Sequence, residues 1–212
     1  LVPAADKFFN FWDIKPGDSG RTIISMHPSK SSAWLCIDFS KFTDKDNTQN
    51  ESEALVDPNG LLTGELGTGM EFFAWIGDSD SDFDPSEGEK PLFGTTTQSA
   101  LATISNKSYA VADASHGPAC QDGSTRYVGI TWCAGDLKVN LSTGVTSCSG
   151  SALGNAAQTD SLSVDIAIRA FPSSQDSKFS CTKTGWKDDD YKDDDEDDDD
   201  WHEVRTGNRN RS

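Results

Sequence analysis

The sequence predicts an all-β protein: a jelly-roll-like antiparallel β-sandwich followed by a low-complexity acidic C-terminal tail. Three observations predict it. Residues 161–171, SLSVDIAIRAF, alternate with period two, placing Leu162, Val164, Ile166, Ile168 and Ala170 on one face of a strand. Seven or so further short extended segments are separated by clusters of Gly, Pro, Asp, Asn and Ser. No stretch shows a convincing amphipathic helical period. Short strands at irregular spacing with long loops favour a sandwich or jelly roll over a meander barrel.

Taken in order, the strands are RTIISMH (21–27), AWLCIDFSKF (33–42), MEFFAWIG (70–77), PLFGTTT (91–97) and SYAVAD (108–113). TRYVGITWCAG (125–135) follows, with Val128, Ile130 and Trp132 on one face, then LKVNLS (137–142) and finally 161–171. The turns between them read KPGDSG, DPNG, GPACQDGS and STGV. One short helix is expected within NGLLTGELGTGM (59–70), where Leu61, Leu62 and Leu66 have rough helical spacing but the glycines oppose it.

The 212 residues carry a net charge of −17. The run DDDYKDDDEDDDD (188–200) accounts for about half of that charge, and residues 1–186 remain strongly acidic. Such a surface repels nucleic acid and anionic lipid and attracts cations. No apolar run reaches the ~18 residues of a membrane span. Composition divides the chain into a sandwich domain at 1–172, a polar linker at 173–186, and a tail at 187–212 that is acidic and then basic. Dense like charge cannot bury enough apolar area to offset chain entropy, so the tail is expected to stay extended unless divalent cations or a partner order it.

Five cysteines, Cys36, Cys120, Cys133, Cys148 and Cys181, form no CxxC pair. That argues for disulfides in an oxidising compartment rather than a zinc ribbon or a redox motif. Cys133 and Cys148 flank two short extended segments around a turn and are the favoured bridge. Cys36 with Cys120 is a possible second, leaving Cys181 in the linker. His27, His116 and His202 are far apart, and there is no HExxH or GxSxG, so no catalytic activity is expected.

The strongest local motif is DSDSDFDPSEGE (78–89). Asp78, Asp80, Asp82 and Asp84 occupy positions one, three, five and seven of a twelve-residue loop, with Glu89 at the twelfth. Ca2+ takes six to eight oxygens, and alternating carboxylates around one point supply them. Phe83 stands at the sixth position, where an EF-hand needs Gly, and no helices flank the loop. The expectation is a calcium loop between strands, against the alternative of a plain solvated acidic loop.

Near the start, KFFNFWDIKPGDSGRTIISMHPSKSSAWLCIDFS (7–40) resembles the opening block of the TasA/camelysin family of secreted bacterial and archaeal proteins. The matching pattern is Asp13-Ile14-Lys15-Pro16-Gly17-Asp18, then a strand at 21–27, a polar turn, and a strand at 33–39. EFFAWIGDSDSDFDPSEGE, HGPACQDGSTRYVGITWCAGD and ALGNAAQTDSLSVDIAIRAFPS extend the likeness across about residues 7–182. The resemblance implies a jelly roll, secretion to the cell surface, and assembly of copies into an extracellular matrix or pilus-like filament by strand donation. Phe8, Phe9, Phe11 and Trp12 then suit the joint between subunits, or else cover an edge of their own sandwich. Only fourteen residues precede Lys15, fewer than such proteins normally have, so either a native N-terminal segment is absent or the donor strand is short. Two other functions stay open: a monomeric cell-surface binding module, and a camelysin-like metal-dependent endopeptidase, for which no residue here offers a site.

Overall fold

A computed structural model describes residues 14–57, 63–94 and 100–182. Nine strands carry the fold. They are β1 (Ser19–Met26), β2 (Ala33–Asp46), β3 (Met70–Gly77), β4 (Lys90–Phe93), β5 (Lys107–Ala112), β6 (Arg126–Ala134), β7 (Asp136–Val139), β8 (Thr146–Ser149) and β9 (Asp160–Pro172). Two single-turn helices, α1 (Leu66–Gly69) and α2 (Leu101–Ile104), interrupt them. Within the expected 59–70 helix only α1 forms among the described residues, and its glycines give the backbone little reason to continue. β8 escaped the sequence reading because TSCS is short and polar.

The strands pair antiparallel in a four-stranded sheet, β1-β6-β3-β4, a three-stranded sheet, β5-β2-β9, and a β7-β8 hairpin. The chain changes sheet at β1–β2, β2–β3, β4–β5 and β5–β6, which builds the all-β sandwich. Between the sheets, Phe39 of β2 meets Phe93 of β4 at 5.6 Å and Tyr109 of β5 at 5.9 Å between ring centroids. Leu35, Ile37, Val128 and Ile130 are almost wholly buried beside them.

The KPGD stretch forms the entry turn. Asp18 N donates to Lys15 O (2.9 Å), Lys15 N donates to Asp18 Oδ2 (2.8 Å), and Gly17 has φ +91°. Proline at the second position and a left-handed glycine at the third are what a type II turn requires. Gly17 N then donates to Ala134 O, which sets the register of β1 beside β6.

Both sheets are covered on their outer faces too, which explains why β2 and β3 read as near-continuous apolar runs rather than alternating ones. Over the first sheet, Phe73 and Trp75 of β3 pack with Phe83, Leu137 and Val139. Trp75 lies directly over Gly129 of β6, where a Cβ would stand 2.2 Å from the indole. Over the second sheet, Trp34, Cys36, Ala110 and Ala112 are covered by Phe179 and Cys181.

This last contact corrects two expectations. Cys36 pairs with Cys181, not with Cys120, and residues 173–182 belong to the domain instead of a linker. Phe179 is buried and stacks on Phe171 at 4.7 Å, and Trp34 Nε1 donates to Asp176 O at 2.8 Å. The polar composition of 173–182 concealed two apolar anchors in a segment that packs as a cover. Cys133 bridges Cys148 as expected, joining β6 to β8. The free thiol is Cys120, fully buried beside β2, where its backbone exchanges two hydrogen bonds with Ala33.

Asp113 holds the same cover down. It is wholly buried; Oδ1 accepts from Ser115 N, His116 N and His116 Nδ1, and Oδ2 accepts from Cys181 N at 3.1 Å. Burial by itself would raise this carboxyl. The hydrogen bonds from His116, Ser115 and Cys181, together with the His116 charge, outweigh it and hold Asp113 below the usual range. A carboxyl depressed in the folded state contributes stability above its ordinary pKa, and that contribution disappears as pH falls through the folded value. Asp113→Asn is therefore expected to lose about 1.5–3 kcal/mol at pH 7. Its deficit against wild type should shrink below about pH 4, read from urea midpoints across pH.

Candidate functional site

Two features of the described residues bear on function: the acidic loop between β3 and β4, and the open edge at β9. In the loop, side chains and backbone close on one another in steps of two. Asp78 Oδ1 accepts from Asp80 N and Asp80 Oδ1 from Asp82 N, each at 2.9 Å. Asp84 Oδ1 accepts from Ser86 N at 2.8 Å and Ser86 Oγ at 2.6 Å. These are Asx-type turns, which short acidic side chains form because they reach their own backbone two residues on. Gly88, at φ +91°, ends a 3-10 turn over Pro85–Glu87, and Glu89 then turns back into the loop. Glu89 is buried, and its carboxylate accepts from Asp78 N (3.2 Å) and Asp84 N (2.7 Å).

The five expected ligands consequently separate. Glu89 is the internal clamp of the loop, Asp84 caps the 3-10 turn, and Asp82 forms an ion pair with Arg21 of β1. Asp78 and Asp80 do converge, with Glu87 as third member, each bringing an oxygen within 4.8 Å of the others. All three are exposed. The charges of Asp84 and Asp78, then burial, then the charges of Asp80 and Glu89, raise the Glu87 carboxyl, while the Ser86 hydrogen bonds lower that of Asp84. Glu87 was missed by a reading that counted alternate positions. The signal for it was Asp84-Pro85-Ser86-Glu87, the pattern of a capped helical turn with Pro at its first position. All the oxygens that these three carboxylates offer lie on exposed side chains, with no buried donor among them.

The second feature is β9, thirteen residues long and last in its sheet. None of its residues is buried. Its register sets Ile166 opposite Phe39, Ile168 opposite Ile37 and Ala170 opposite Leu35, so its apolar row continues the core face of β2. Yet Leu162, Val164 and Ile166 are only half-buried, and Ile168 is 39% exposed. A strand edge that leaves backbone groups and an apolar row open is a template for another strand.

His116 is held by Asp113, and His27 Nδ1 lies 2.9 Å from Thr125 Oγ1; the described histidines stand at separate places. Phe8, Phe9, Phe11 and Trp12, the acidic tail and His202 lie outside the described residues. Among the described residues no helix is long and apolar enough to cross a membrane. The two disulfides point to an oxidising environment. No known protein-family model matches the chain, and no curated protein matches it significantly.

Proposed function

We propose that this chain is a structural subunit of a secreted extracellular filament, joined to its neighbours by strand complementation. The observation that supports this reading is the β9 edge: a long terminal strand whose core-facing row is half-open at Leu162, Val164, Ile166 and Ile168. An added strand there would gain ladder hydrogen bonds for affinity and pockets for alternate side chains for register. The segment of suitable composition is 7–12, KFFNFW, whose large aromatics each contribute about 1.5–3 kcal/mol when buried. Disulfides at both covers of the sandwich suit a protein that works outside the cell. The acidic tail would keep filaments apart by charge or bundle them through divalent cations.

Electron microscopy of the purified full chain tests the reading. Regular filaments with an axial repeat near one domain are expected, and Ile166→Lys or removal of residues 1–12 should leave isolated particles. Isolated particles from the unaltered chain, monodisperse at high concentration, would favour a monomeric cell-surface binding module instead.

A further inference from the structure

The core-facing row of β9 does not end in an apolar residue. Continued two residues beyond Leu162 it reaches Asp160, which the register sets opposite Asp46 of β2, with Asp44 two residues away on the same face. Like charges directly opposite in a ladder are destabilising. Here a third carboxylate joins them: Asp46, Glu53 and Asp160 each bring an oxygen within 4.8 Å of the others.

Glu53 is placed by a reciprocal capping arrangement. Asn50 Oδ1 accepts from Ser52 N and Glu53 N, and Glu53 Oε2 accepts from Asn50 N at 3.1 Å and Thr159 Oγ1 at 3.2 Å. This is a capping box with Asn in the first position. It leaves Glu53 wholly buried with Oε1 lacking a hydrogen-bond partner. Both oxygens of Asp46 are likewise buried without partners, as are Asp44 Oδ1 and Asp160 Oδ1. Their remaining oxygens are taken: Gly67 N donates to Asp44 Oδ2 and Glu65 N to Asp160 Oδ2. Among the described residues no lysine or arginine pairs with Asp44, Asp46, Glu53 or Asp160. Burial pushes the Asp160 carboxyl up, the Glu65 amide offsets part of this, and repulsion from Glu65, Asp44 and Asp46 adds to it, to about 6.

Buried carboxylates in native proteins are paired or bind metal. We propose that the end of the β2–β9 ribbon is a structural calcium site formed by Asp46, Glu53 and Asp160, with Asp44 in support. The donors are all carboxylate oxygens, the set that suits a hard cation and not zinc or copper, which favour nitrogen and sulfur. Calcium fits better than magnesium because three carboxylates converge here, a set that a flexible sphere of six to eight oxygens accepts, whereas magnesium keeps several waters and takes one or two carboxylates. The ion would tie the 47–57 turn to both strands, and so hold the outer half of the edge strand in register. This site is separate from the exposed 78–89 loop and does not depend on the filament reading.

The test is thermal unfolding of the chelator-treated full chain at pH 7.5, in EDTA and in millimolar CaCl2. Calcium at about a hundred times its Kd should raise Tm by about 5–10 °C. The same rise is expected in Asp78→Asn/Asp80→Asn, which removes the surface loop as its source. Asp46→Asn/Asp160→Asn should lose the rise and should melt above wild type in EDTA, because it removes repulsion. Should the double variant fail to fold, Asp46→Asn alone carries the test, since its oxygens make no hydrogen bond to lose. An absent rise in the wild type, or an undiminished one in Asp46→Asn, overturns the assignment.

Discussion

Cys181→Ser is expected to be among the most damaging single substitutions in this protein, lowering stability by about 5 kcal/mol. The Cys36–Cys181 bridge spans 145 residues, so it restricts nearly the whole described chain when unfolded. The chain-entropy account gives about 5 kcal/mol for a ring of that size, against about 3 kcal/mol for the 15-residue Cys133–Cys148 ring. The bridge also pins the cover in which Phe179 stacks on Phe171 and Asp176 O receives Trp34 Nε1. Guanidinium unfolding of Cys181→Ser and Cys148→Ser should rank them in that order, with Tm falling by about 10–20 °C for Cys181→Ser. A loss no larger than that of Cys148→Ser would mean that packing, rather than covalent closure, holds the cover in place.

Phe83→Ala should cost about 3–5 kcal/mol, unusual for a residue in a surface loop. Phe83 is 4% exposed and meets Phe73 at 5.0 Å and Trp75 at 6.0 Å between ring centroids. Its backbone is pressed by the β7–β8 turn: a Cβ on Gly144, already at φ +72°, would fall 1.9 Å from Phe83 O. Truncation would therefore open a cavity under the acidic loop and free the Asp78–Asp80–Glu87 group from its fixed spacing. Urea unfolding measures the loss, and limited proteolysis should cut within 78–89 far faster than in wild type. Equal proteolysis in the two proteins would show that Glu89 and its amide partners hold the loop without the aromatic anchor.

Phe83 also shows how far local pattern carries. Its place in the acidic run argued against an EF-hand, which is sound, because an EF-hand needs glycine there for a sharp turn. What the run could not disclose is that Phe83 points inward, because the Phe73–Trp75 face of β3 that it joins is completed by Ile23, Leu137 and Val139, each some fifty or more positions away in the chain. The legibility of the strands follows the same rule. β9 was the clearest in the sequence and is the most exposed of the long strands; β2 and β3, whose alternation is blurred, are the buried ones.

The carboxylates divide the two levels of information most sharply. Spacing brought out 78–89, where six acidic residues lie within twelve positions. It was silent on Asp46, Glu53 and Asp160, because the last is separated from the others by more than a hundred residues and is brought in by β2–β9 register alone. The same holds for sulfur: a 15-residue loop marked Cys133–Cys148, while no local signal linked Cys36 to Cys181.

By itself the sequence determined the all-β class, most strand positions, the KPGD turn and the near disulfide, because period-two alternation and turn chemistry act over a few residues. Tertiary structure alone decided which strand stands at the edge, which cysteine remains free, and which carboxylates are buried together. Those outcomes depend on contacts between segments distant in the chain, and their free energies appear only when the register that aligns them has formed.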